Sequence, residues 1–177
     1  MLQSDDLLWR ELRYAWGTAA GTSRYIQQWS KVERSTADIW EDVYEDFCDG
    51  TQVWSAGIAL LPHLTNLASM SIGTAKAHHL LFAAAILLHC VTLDGGRIRN
   101  LTKVLPNGDV SPNRKLLSQM KCWIREAQVQ GKTLIPHLFA IPRKKKRETD
   151  DLMLVLTAFD GFPSLIQLEL PDIDDSE

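Results

Sequence analysis

Apolar residues recur along most of this chain at three- and four-residue intervals, the spacing that puts them on one face of a helix. Leu7, Leu8, Trp9, Leu12 and Trp16 form a first such set, with Ser4 as N-cap and Asp5 and Asp6 near the positive helix end. Gly17 and Gly21 bracket a break, after which Thr22 caps a short helix carrying Tyr25, Ile26 and Trp29. Ile39, Trp40, Val43, Tyr44, Phe47 and Cys48 predict a one-sided helix over 37–48, ended by Asp49-Gly50. A helix over 52–70 follows, with Pro62 expected to kink or restart it. The segment 75–91 is apolar nearly all round from Leu80 to Leu88 and is expected at the centre of the core.

Residues 94–112, rich in Gly, Pro, Asn and Ser, read as a long basic loop. Ser111 and Pro112 then open a helix over 113–130, which Gly131 is expected to close. A shorter helix near 132–140, one over 150–160 capped by Thr149, and a last one from Pro163 to about 169 complete the pattern. Leu60-Leu61-Pro62-His63-Leu64 has an echo in Leu134-Ile135-Pro136-His137-Leu138, as two copies of a helix-pair unit would. The predicted fold is all-α: a HEAT-like, α-solenoid-like stack of about seven to nine helices. One domain covers 1–170, and residues 171–177 form an acidic, disordered tail.

With 177 residues and 45% apolar content, the chain can bury one core and is not wholly disordered. The longest apolar run, Leu80 to Leu88, is half of what a membrane span needs, and the acidic start is unlike a signal peptide. A cytoplasmic protein without membrane partners is expected. Cys48, Cys90 and Cys122 are too few and too scattered for a disulfide framework and read as mostly buried thiols.

No motif of a common enzyme class occurs. His78, His79, His89 and Cys90 lack a carboxylate nearby in sequence, since residues 51–93 contain none, and read as core or boundary residues. His63 and His137 follow prolines and read as partners of freed backbone carbonyls. No catalytic residue, metal or cofactor is expected.

The net charge of −3 conceals strong segregation. Residues 1–50 carry −5, 51–93 carry +1, 94–148 carry +9 and 149–177 carry −8. Within the first block, Asp38, Glu41, Asp42, Glu45, Asp46 and Asp49 lie opposite the apolar stripe of the 37–48 helix with no base among them. Their four i,i+4 repulsions cost about 0.2–0.5 kcal/mol each. The face is either solvated, paired with Arg143–Arg147, or a docking surface for a basic partner. Trp54 is a candidate aromatic anchor beside it, and Asp172, Asp174 and Asp175 form a second acidic patch. The basic segment 97–147 is the alternative site, for nucleic acid. The acidic overall balance and the lack of interleaved aromatics weigh against that partner.

The stretch from Ile39 to Leu64 resembles a group of small bacterial HEAT-like helical proteins. That group has a Trp-containing helix, a polar turn, a small-residue helix and an apolar Pro-His-Leu end. Here Trp40 lies in the first helix, Cys48-Asp49-Gly50-Thr51 stands for the turn and Leu60-Leu61-Pro62-His63-Leu64 for the end. Where the group's turn has His-Gln, this chain has Asp49 in that region. Leu154 to Pro163 looks like the group's last helix pair. Some of these proteins resemble immunity proteins of toxin and contact-dependent inhibition systems. The resemblance implies a non-enzymatic protein that binds a cognate toxin and covers its active site. With the charge layout, it makes a basic, nuclease-type toxin the expected partner.

Overall fold

The computed structural model describes residues 7–10, 12–14, 17–29, 46–49, 52–92, 102–104, 110–112, 114–139 and 146–160. Among the described residues, five α-helices carry the fold: α1 (Thr22–Trp29), α2 (Ser55–Met70), α3 (Gly73–Thr92), α4 (Arg114–Leu138) and α5 (Lys146–Asp160). Three antiparallel ladders of two or three residues per strand trim it: β1 (Arg13–Tyr14) with β2 (Gly17–Thr18), β3 (Cys48–Asp49) with β4 (Gln52–Val53), and β5 (Thr102–Val104) with β6 (Val110–Pro112). The architecture is all-α. No helix among the described residues is long and apolar enough to cross a membrane.

The most enclosed of these elements is α2, not α3. Thirteen of its sixteen residues are buried, because its sides are covered by α3 and α4. In α3, by contrast, Gly73 and Thr74 are exposed, and Ala75, Lys76, Leu81, Ala85 and Leu88 are only half-buried. Helix α2 runs through Pro62 without restarting. Loss of one backbone bond costs about 3 kcal/mol, which burial of Ile58, Leu60, Leu61 and Leu64 at 0% exposure readily outweighs. The buried Thr65 hydroxyl, 2.8 Å from Gln130 Oε1, donates across to α4 and also approaches the Pro62 carbonyl at 3.1 Å.

Several boundaries depart from the periodicity. The expected first helix is a 3-10 turn, Leu7–Arg10, followed by the β1–β2 ladder pairing Arg13 with Thr18 and Tyr14 with Gly17. Folding back lets Ala19 N–H donate to Leu12 O at 2.9 Å while Trp9 and Leu12 enter the core. The predicted long loop contains the β5–β6 ladder, so Ser111 and Pro112 are strand residues opposite Lys103 and Thr102 rather than a helix start. Pro112 sits at the end of an edge strand, where its missing N–H breaks no ladder.

Gly131 does not close a helix: α4 passes through it and absorbs the helix predicted near 132–140. A Cβ at Gly131 would fall 2.5 Å from Cδ1 and 2.9 Å from Cζ of Phe159, so the glycine lets α5 approach α4. Helix α5 begins at Lys146, ahead of the expected cap Thr149. The predicted helix over 37–48 falls largely outside the described residues, as do the one after Pro163 and the tail 171–177. Of the first, residues 46–47 are helical and Cys48 is already extended.

Candidate protein-binding site

The acidic run ends in a tight corner built from local sequence. Extended residues Cys48 and Asp49 pair with Val53 and Gln52, and Trp54 N–H donates to Phe47 O at 3.0 Å. Cys48 and Val53, directly opposite each other, are both fully buried and fasten the corner to the core. Trp54 is the N-cap of α2, in extended conformation, and its carbonyl accepts from Gly57 N at 2.9 Å and Ile58 N at 3.3 Å. Its side chain offers no cap to the helix.

Gly57 makes the close approach possible. A Cβ there would lie 2.9 Å from the Phe47 carbonyl oxygen and 3.3 Å from a Val53 methyl. Backbone oxygen cannot rotate away, so any side chain at 57 forces the corner off α2. Gly57 lies inside the helix predicted over 52–70, where periodicity gives it no particular part. Only the returning strand shows why it is glycine.

Of the predicted contact residues, the corner brings together Asp46, Asp49 and Trp54. Asp46 is half-buried and engaged in contacts, Asp49 stands opposite Gln52, and Trp54 is half-buried rather than fully exposed. The Trp54 indole Nε1 is buried with no acceptor among the described residues. Asp38, Glu41, Asp42 and Glu45, and the second patch Asp172, Asp174 and Asp175, lie outside the described residues.

The histidines divide by environment. His63 is buried and tilted against Trp9, with ring centroids 5.9 Å apart, so it packs on an aromatic as well as following Pro62. His79 is 2% exposed, and burial, with the neighbouring His78 charge, lowers its pKa to about 4. His137 is exposed in the last turn of α4. Among the described residues, no three His, Cys, Asp or Glu side chains come together as a metal site. Cys48 is a buried free thiol, whereas Cys122 is exposed, against expectation, because it falls on the outward side of α4.

The alternative, basic site is dispersed. Lys103 lies in β5, Lys146 and Arg147 open α5, and Lys115, Lys121, Arg125 and Lys132 are on α4. Arg97, Arg99 and the start of the 143–147 run are outside the described residues. Comparison with protein-family models, with curated proteins and with solved structures finds no match for this chain.

Proposed function

We propose that this chain is a non-catalytic, all-α protein-binding module of HEAT-like kind. Its binding surface is the acidic face that ends in the Asp46–Trp54 corner, and its partner is a basic protein. The observation that carries the reading is the juxtaposition of Asp46 and Asp49 with the half-buried Trp54, held by the Cys48–Val53 ladder on the most enclosed helix. A carboxylate cluster steers a cationic partner and sets its orientation, while a Trp on a rigid base supplies contact area at small entropic cost. The partner class favoured by the resemblance is a nuclease-type toxin of bacterial competition. There the carboxylates of Asp38, Glu41, Asp42, Glu45, Asp46 and Asp49 take the places of substrate phosphates, and the chain acts as its immunity protein.

Copurification from the native host at low salt tests this, with the wild-type chain beside Glu41→Lys/Asp42→Lys/Glu45→Lys. The expected result is one basic protein held in near-equal amount by the wild type, at least about tenfold less by the variant, and toxic unless the wild-type chain is present. Equal retention by both chains removes the acidic face from the account.

A further inference from the structure

We propose that Cys48 and Cys90 form a reversible disulfide that clasps the β3–β4 ladder to α3. The clasp does not depend on the reading of the corner as a binding surface.

The topology carries these two cysteines to one end of one helix pair. Only Ser71 and Ile72 separate α2 from α3, and the two helices pack on each other, so they run antiparallel. From Met70 back to Ser55, α2 rises about 22 Å, and the same rise along α3 from Gly73 ends at Leu88. Val53 and Trp54 come just before Ser55 in the chain, and Cys90 comes just after Leu88. Val53 and Cys90 therefore lie at one level of the hairpin, and β4 packs against α3 there. Cys48 is directly opposite Val53 in the ladder, where Cα atoms sit about 5 Å apart, so β3 brings it to the same place.

The helical register agrees. Position 90 follows Ala83 by seven residues, Ile86 by four and Leu87 by three, and all three are buried. It thus falls on the core-facing side of α3. Cys48 is 0% exposed, as is Val53 across the ladder. Cys122, exposed on the outward side of α4, stands apart from both.

The oxidant is a small-molecule disulfide, of which oxidised glutathione is the probe. One cysteine thiolate attacks its S–S bond, forming a mixed disulfide and releasing one glutathione thiolate. The second cysteine thiolate attacks that mixed disulfide, the Cys48–Cys90 bond forms and the second glutathione leaves. Two cysteine thiols are oxidised, one oxidised glutathione is reduced to two thiols, and the cysteine protons pass through water to the departing thiolates. The exchange needs the corner to open, and a ladder of two residue pairs opens more readily than the packed helices beneath it. The bond closes a loop of about 42 residues and ties the strand that carries Asp49 to α3.

The test is peptide mapping of the full chain carrying Cys122→Ser, equilibrated with oxidised glutathione in urea below the unfolding transition and then alkylated. The urea gives the oxidant access through local opening while the fold is kept. The expected result is a cross-link between the Cys48 and Cys90 peptides in the monomer, lost on treatment with dithiothreitol. The cross-linked chain should unfold about 5–15 °C above its reduced form, a gap that vanishes in Cys122→Ser/Cys90→Ala treated the same way. Amide exchange over residues 46–54 should slow in the oxidised form. Separate glutathione adducts on Cys48 and Cys90, thiols that both stay open to alkylation, or a cross-link that appears only above the unfolding transition would each overturn the proposal.

Discussion

Two stretches of this molecule share a pattern longer than the echo read from the sequence. Gly57-Ile58-Ala59-Leu60-Leu61-Pro62-His63-Leu64 in α2 matches Gly131-Lys132-Thr133-Leu134-Ile135-Pro136-His137-Leu138 in α4 at glycine, leucine, proline, histidine and leucine. In both helices the glycine does the same work: another element packs where a Cβ would be, Phe47 and Val53 on Gly57, Phe159 on Gly131. The leucine-rich positions are buried in both. Proline and histidine differ. Pro62 and His63 are buried, whereas Pro136 and His137 are exposed. The shared positions thus encode helix packing, and the neighbours decide the rest. Ile58 and Ala59 let α2 be enclosed, while Lys132 and Thr133 keep one side of α4 in water.

This contrast can be broken on purpose. The largest effect is expected where a charge enters the enclosed copy. His63→Glu should cost about 3 kcal/mol or more in urea unfolding, because an ionised carboxylate against Trp9 loses its water. His137→Glu, the matching change in the exposed copy, should stay within about 0.5 kcal/mol. Similar costs at both positions would contradict the assignment of environments.

The next effect is pH dependence. His79 has a folded pKa of about 4, below the 6.5 of an unfolded histidine. As pH falls below 6.5, the unfolded chain takes up a proton that the folded chain refuses, so the unfolded state gains. The histidine's contribution is intact above pH 6.5 and is lost progressively toward pH 4, by roughly 3 kcal/mol in all. Denaturant titrations of the wild type and His79→Leu across that window should show the wild type losing stability more steeply. Parallel curves would remove His79 as the cause.

A smaller effect probes the glycines. Gly131→Ala should lower stability by about 1–3 kcal/mol through collision with the Phe159 ring. The loss should shrink in Gly131→Ala/Phe159→Leu relative to Phe159→Leu alone. Additive losses would mean that α5 does not rest on this glycine.

How much was legible follows from the same physics. Helices α1, α2 and α3 could be read within a few residues, because each carries a run of apolar positions at helical spacing. The β1–β2 and β5–β6 ladders could not. Their strands have two or three residues, too few for an alternating pattern, and Gly17, Ser111 and Pro112 speak equally for a helix boundary. Gly131 read as a stop because a helix interior usually disfavours glycine by about 1 kcal/mol. That preference yields when a ring must sit against the backbone. Of the candidate site, the charge layout and Trp54 were visible in the residues. The corner that joins Asp49 to Trp54 was not, since it depends on Gly57 admitting the Phe47 carbonyl, a contact between segments ten residues apart.

The central claim is that a protein partner docks on the acidic face and its Asp46–Trp54 corner. Hydrogen exchange read by mass spectrometry tests it most directly, comparing the chain alone with the chain bound to the protein it retains at low salt. The account predicts new protection concentrated in residues 38–58, with α4 unchanged. Protection confined to α4, or none within 38–58 in a complex that stays intact, would contradict it.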